Sequence, residues 1–277
     1  MCKQILSIGA LGGSGTRVVA SLIQFMGYAL GGQLNASMDD LIFAHLFKNP
    51  DWYIESNKNE RLLRMQSFIN YLTGVEMDVD HRDEMVKALM SASNYVNADY
   101  DYVSKVDFKN RNASIINWAW KEPNSHIYLD EILSYHNNIK YIHVIRHGVD
   151  MCFSRNFQQL MNWGWMFDLS SKPEEDIWAL RKKQLGFWCK STKKVLQRKE
   201  QYKDRIYMLN YNHLCTHPRE ELKNLISFIN SDIKDDQLDE MCKMVDSSRA
   251  VPKFTKGDLV HFDKSELSFV ESMGFQL

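Results

Sequence analysis

The sequence lacks the features that would place it outside the ordinary globular class. Its 277 residues carry a formal net charge of -1, so no excess of one sign exists to grip a nucleic acid or an anionic membrane surface. No stretch approaches the roughly 18 consecutive apolar residues that a membrane helix requires. The five cysteines are scattered without CxxC spacing, and an odd count argues against a disulfide framework and for a reducing compartment. No charged leader, long apolar segment or small-residue cleavage site precedes the first strand-like run, so a cytoplasmic setting is expected. The sequons at Asn35 and Asn112 should then carry no glycan. No metal-ligand cluster is visible, and none is expected. What remains is 44% hydrophobic and 25% charged, enough for one α/β domain over 1–277 with a helical insertion at about 51–115.

The most informative stretch runs from Ile5 to Met26. Ile5, Leu6, Ser7 and Ile8 form a short run of buried-strand character, and Gly9, Gly12, Gly13 and Gly15 break it. From Thr16 onward Val18, Val19, Leu22, Ile23 and Met26 recur at helical spacing, which predicts a helix with one buried face. A glycine loop between strand and helix leaves backbone N–H groups free at a helix N-terminus, where an anion is favoured. The alternative is an ordinary tight strand-to-helix turn.

Two familiar phosphate loops fail here. A Walker loop needs Lys then Ser or Thr after its last glycine, whereas Gly15 is followed by Thr16 and Arg17. The dinucleotide fingerprint wants an acid at a strand end about twenty residues on, where Gly31, Gly32, Gln33 and Asn35 stand instead. The run from Gly12 through Gly13, Ser14, Gly15 and Thr16 to Arg17 resembles the 5′-phosphosulfate loop of sulfotransferases that use 3′-phosphoadenylyl sulfate (PAPS).

Further along, Tyr141–Ile145 reads as the clearest central strand, ending at Arg146, His147 and Gly148 before a helix. An Arg at the carboxyl end of such a strand points into the ligand crevice of an open α/β sheet, and Ser154 follows eight residues later. The pair Arg146 and Ser154 is similar to the 3′-phosphate motif of the same family, although His147 stands where Asn is commoner. The run Trp120, Lys121, Glu122 and Pro123 resembles the Lys-bearing strand end of several sulfotransferases, with a helix expected from Ser125 to Tyr135 capped by Asn124 or Ser125. Asp39 matches the acid that abstracts the acceptor proton, or else caps a helix starting near Asp40. Arg249, in a basic loop from Ser247 to Gly257, is a candidate second 3′-phosphate contact or a solvated loop residue. Asn162–Phe167 reads as core, Ser171 and Glu174 as a capping box for a helix reaching Lys199, and Ile206–Tyr211 as a strand followed by a helix from Arg219 to Asn230.

The resemblance implies a three-layer α/β architecture of the P-loop-containing nucleotide hydrolase-like type, a central parallel sheet flanked by helices. It implies an enzyme that moves sulfonate from PAPS to a hydroxyl or amine of a carbohydrate or small molecule, with PAP as product. Lys121, Asp39 and Arg17 would serve the chemistry, and Gly12 to Arg17, Arg146, Ser154 and Arg249 would hold the nucleotide. The rivals are a P-loop-like small-molecule kinase, which the missing Walker Lys opposes, and a nucleotide-binding sensor without catalysis.

Overall fold

The computed structural model describes residues 4–91, 117–154 and 156–277. The Asn112 sequon, Ile115 and Ile116, and the later part of the expected insertion lie outside the described residues. Five strands form one parallel sheet in the order β2-β3-β1-β4-β5: β1 (Gln4–Ala10), β2 (Ala29–Leu30), β3 (Asn117–Lys121), β4 (Ile139–Ile145) and β5 (Ile206–Asn210). β3 runs parallel to β1, with Gln4 opposite Asn117 and Ile8 opposite Lys121. β2 pairs with β3 through only two residues, Ala29 and Leu30, too short a run to show any alternation in the sequence.

β1 does not break at Gly9. It continues to Ala10, and the missing side chain makes room for a neighbour, since a methyl group on Gly9 would fall 2.4 Å from the Tyr141 hydroxyl. The helix α1 (Thr16–Phe25) starts where the apolar spacing predicts, with Val19, Leu22 and Ile23 buried. The helix α2 (Leu41–Phe47) is capped by Asp40, whose carboxylate accepts from the Phe43 N–H at 2.9 Å, so Asp39 is not its cap.

The chain forms two compact units, one from Met1–Gly9 and Arg17–Ile142, the other from Ala10–Thr16 and His143–Leu277. In the first, α3 (Pro50–Glu55), α4 (Lys58–Thr73) and α5 (Val79–Met90) follow α2. α4 opens with a reciprocal Asn57–Glu60 capping box and ends at Gly74 in the left-handed region, φ 66°. Met65, Phe68, Ile69, Leu72, Met85 and Leu89 are buried as their spacing predicts, but Met90 is 78% exposed. The core of this unit is aromatic: Trp120 stacks on Phe43 at 6.0 Å and meets the edge of Phe68 at 5.5 Å. Trp120 also donates to the Ser125 hydroxyl at 3.2 Å, which satisfies the one polar atom that its burial would strand. After β3 the expected single helix is two pieces, a 3-10 turn over Pro123–Tyr128 and α6 (Leu129–Tyr135). The cap of that turn is Glu122, with Pro123 in the first position, rather than Asn124 or Ser125.

The second unit contains α7 (Gly148–Cys152), α8 (Gln158–Trp163), α9 (Ile177–Tyr202), α10 (Tyr211–Thr216), α11 (Pro218–Ile229), α12 (Asp235–Lys243) and α13 (Lys264–Ser272). α9 starts later than the Ser171–Glu174 box suggests, because Asp176 accepts from the Trp178 and Ala179 amides and takes the capping role. Leu185, Trp188 and Val195 are buried on α9, while Trp178 is half-buried. In the Trp- and Met-rich stretch, Trp163 is fully buried and Trp165 is 36% exposed, so the core reading holds for only one of the two indoles.

Replacing Trp120 by Ala should destabilise the protein by about 3–5 kcal/mol, the range for emptying a large buried aromatic site. Urea unfolding of W120A with a midpoint close to wild type would show that the aromatic cluster closes up around the gap.

Candidate active site

The loop between β1 and α1 is shaped by two glycines. Gly13 and Gly15 both adopt φ of +93°, a region that side chains with a Cβ rarely enter. Gly15 is also pressed by Tyr211, whose ring would lie 2.2 Å from an added methyl group. Ser14 and Thr16 are buried, while Arg17 is exposed. The Ser14 N–H donates to the Leu11 carbonyl at 3.2 Å, closing a tight turn before α1. The first-turn N–H groups of α1 have no acceptor within the helix and point to its N-terminal end, which suits an anion.

Beside this loop, in the same unit, lies Arg146 at the end of β4. Its guanidinium is largely buried and donates to the Arg249 carbonyl at 3.0 Å and, at the limit of reach, to the Gly13 carbonyl at 3.5 Å. Asp150, one turn along α7, brings a carboxylate to 3.7 Å from Arg146 Nη2 and accepts from the Lys253 N–H at 2.7 Å. The Arg146 Nε has no partner among the described residues. Ser154 lies just past the C-cap Phe153 of α7. Its hydroxyl would sit 3.7 Å from a methyl group on Gly13, so loop, Arg146 and Ser154 converge. Arg249 joins them through its carbonyl. Its own guanidinium pairs with Asp246 at 3.2 Å and is exposed, and Ser247–Ala250 is a 3-10 turn rather than an open loop.

His147 shapes the turn after β4 by several bonds. Its Nδ1 accepts from the Val149 N–H at 3.2 Å, its Nε2 faces the Gln276 carbonyl at 2.8 Å, and its backbone N–H donates to Asn212 at 3.0 Å. Burial lowers its pKa, which keeps the ring neutral and able to accept and donate at once.

In the first unit, Lys121 closes β3 opposite Ile8, two residues before the end of β1. Its ammonium is 3% exposed and ion-pairs with Asp39, and it donates to the Ser37 carbonyl at 3.0 Å. Asn35 steadies the acid from the other side, donating to Asp39 Oδ2 at 3.0 Å while accepting from the Asp39 and Ser37 amides. Lys121 and Asp39 are therefore brought together. Next to them Glu122 is buried, accepting from the Asn124 backbone and side-chain N–H groups at 2.5 and 2.9 Å. Burial pushes its carboxyl up to about 7, and the charge of Asp39 adds to the effect. Asp150, Tyr211, Gln159 and Glu122 were not singled out from sequence. Only Asp150, four residues after Arg146, carried a signal that helical spacing could have revealed.

The class of fold is thus a parallel α/β sheet with a glycine loop after its first strand and a buried Arg after a central one. The profile described as "Sulfotransferase family" matches residues 16–235, and the chain belongs to this family. It is an enzyme, a transferase of sulfonate groups. The match takes in Asp39, Lys121, Arg146 and Ser154 but begins after Gly15 and stops before Arg249. Among solved structures, the sulfotransferase domain from the curacin biosynthetic pathway is similar over 100% of this chain and 99% of its own, at 15% identity and a TM-score of 0.50. A sulfotransferase, STF9, from Mycobacterium avium is similar over 100% of this chain and 78% of its own, at 11% identity and a TM-score of 0.50. Both likenesses concern the fold. A comparison with curated proteins finds no match. No helix among the described residues is long and apolar enough to cross a membrane.

The raised Glu122 carboxyl makes stability depend on pH in a defined direction. Its folded value, about 7, lies above the ordinary 4.5, so its contribution is fully present below pH 4.5 and is lost as pH rises through 7. The loss should amount to roughly 3 kcal/mol. Glu122→Gln cannot ionise, so its stability relative to wild type should climb across that window. Parallel pH profiles for the two proteins in urea unfolding would mean that Glu122 does not titrate there.

Proposed function

We propose that the enzyme takes its sulfonate from PAPS and passes it to a hydroxyl or amine of a carbohydrate or small-molecule acceptor, releasing PAP. The observation that carries this reading is the meeting of Arg146 and Ser154 with Gly13 of the glycine loop. Two anion-binding elements stand side by side, which suits a nucleotide bearing separate 5′ and 3′ phosphates. A nucleotide with 5′ phosphates alone would leave the buried guanidinium without its anion. In this reading the loop from Gly12 to Arg17 takes the 5′-phosphosulfate, Arg146 and Ser154 take the 3′-phosphate, and Arg249 supports Arg146 through its carbonyl.

The transfer is a single displacement at sulfur. The acceptor oxygen or nitrogen forms a bond to sulfur as the bond from sulfur to the bridging 5′-phosphate oxygen breaks, and the acceptor's proton passes to Asp39. Lys121 and Arg17 offset the negative charge that gathers on the departing phosphate oxygen. For Asp39 to accept the proton, Lys121 must first give up the ion pair that joins them. Fixed cations suffice for this role because a sulfonyl group carries less charge than a phosphoryl group. A cytoplasmic setting fits the four free thiols among the described cysteines, Cys152, Cys189, Cys215 and Cys242.

Arg146→Ala should weaken binding of PAP by about tenfold to a hundredfold, since a charge-assisted phosphate contact is worth roughly 1.5–3 kcal/mol. AMP binding should change little. Calorimetry showing equal affinity of the wild type for PAP and AMP would overturn the 3′-phosphate assignment.

Lys121→Ala should leave PAP affinity within a few-fold and lower sulfonate transfer, or slow PAPS hydrolysis where no acceptor is at hand, by about a hundredfold or more. Asp39→Asn should behave likewise with an acceptor that must be deprotonated. Wild-type turnover in both variants would remove these two side chains from the chemistry.

A further inference from the structure

Ser154, Asn156 and Gln159 all lie against the glycine loop. The Ser154 hydroxyl stands by Gly13, and the Asn156 amide nitrogen would lie 2.8 Å from a methyl group on Gly12. Gln159, in the first turn of α8 and 7% exposed, holds the loop directly. Its Oε1 accepts from the Gly12 N–H at 2.6 Å, and its Nε2 donates to the Ala10 carbonyl at 3.2 Å. All of these residues belong to one compact unit.

The pair of loop groups that Gln159 takes is informative. A residue in a parallel ladder donates to the carbonyl of one residue and accepts from the N–H two positions further on. Ala10 O and Gly12 N–H are such a pair, and Ala10 is the last residue of β1. The Gln159 carboxamide thus stands in for one residue of a neighbouring strand. It extends the hydrogen-bonding pattern of β1 just beyond the strand's end, across the bend at Leu11 and into the turn at Gly12. The turn that the Ser14 N–H closes onto the Leu11 carbonyl then has Gly12 and Gly13 at its centre, and Gly13 takes the φ of +93°. It also commits the Gly12 N–H to the protein, as Leu11 does the Ser14 N–H, so the loop amides left for an anion are that of Gly13 and those beyond Ser14.

We propose that Gln159 is a positioning residue for the 5′-anion loop: its carboxamide acts as a substitute strand that sets where the loop turns and which amides face the 5′-phosphosulfate. The inference rests on the assignment of that loop to the 5′ anion. Its consequence is selective. Loss of the carboxamide should weaken ligands that carry a 5′ anion and spare those that carry only a 3′-phosphate, because Arg146 is held chiefly by the Arg249 carbonyl and Asp150 rather than by the loop.

The test compares adenosine 3′,5′-bisphosphate with adenosine 3′-monophosphate by calorimetry on the full chain, in wild type and Gln159→Met, which preserves side-chain length without the two hydrogen bonds. Wild type should bind the bisphosphate much more tightly than the monophosphate. Q159M should lose at least tenfold in bisphosphate affinity while monophosphate affinity stays within about threefold, and amide exchange at Gly12 should quicken. If wild type does not prefer the bisphosphate, the 5′-anion assignment itself fails. If wild type prefers it and Q159M keeps the same ratio, or loses both ligands equally, the role of Gln159 fails. Should Q159M not fold, as judged by its melting curve, Gln159→Asn decides by the same ratio. Asn is one methylene shorter and cannot span both loop groups.

Discussion

The structure turns on a guanidinium that cannot be left without acceptors. Arg146 ends a central strand and is largely buried, and an unpaired buried charge is among the most destabilising features a protein can contain. The fold answers with three partial solutions rather than one strong pair: the Arg249 carbonyl, the more distant Gly13 carbonyl and the Asp150 carboxylate at 3.7 Å. None is a bidentate carboxylate fork, which would be the strongest partner available and would also compete with an incoming phosphate. Asp150 spends one oxygen on the Lys253 amide and so joins the chain around residue 250 to the same guanidinium. The arrangement keeps the cation tolerable in the fold without a fork-like partner, which suits the phosphate contact proposed for it.

The glycine loop follows a related logic with neutral groups. Its geometry is held by a strand end, by a carboxamide that imitates a strand, and by a tyrosine ring that leaves no space for a side chain at Gly15. Each device fixes backbone, and fixed amides bind an anion without reorganising at the moment of binding. The side chains within the loop contribute less. Ser14 is buried against Met151, and Arg17 faces solvent.

How much of this was legible in the sequence depended on the range of the cause. The strand-loop-helix at the start, the central strand ending at Arg146, and the Lys121 strand end rest on local periodicity and on glycine, so their elements were readable. Boundaries failed where capping side chains competed over a few residues: Asp40 displaced Asp39, Asp176 displaced the Ser171–Glu174 box, and Glu122 displaced Asn124 and Ser125. The strand Ala29–Leu30 was hidden because two residues show no period. Gly9 misled because its bare Cα answers to Tyr141, a contact far away in sequence. Gln159 was unreadable for the same reason. Its partners lie about 150 positions upstream, and nothing in its own neighbourhood marks a glutamine as a stand-in for backbone.

The remaining charged group, Lys121, poses a question that stability alone does not answer. Its ammonium is buried against Asp39, and buried ion pairs generally contribute less than well-packed apolar side chains of the same volume. A second acid, Glu122, is buried beside them with its carboxyl pushed up by desolvation to about 7, which adds a further cost as pH rises from 4.5 through 7. A fold selected for stability only would have little reason to gather these groups at one strand end. The proposed chemistry supplies the reason. A cation that acts on charge developing during transfer must be kept dry, close and aligned between turnovers, and the network of Asp39, the Ser37 carbonyl and Asn35 provides such a resting place. Because the partner that holds Lys121 is also the acid proposed to take the acceptor's proton, breaking that ion pair is what would free the carboxylate for use as a base.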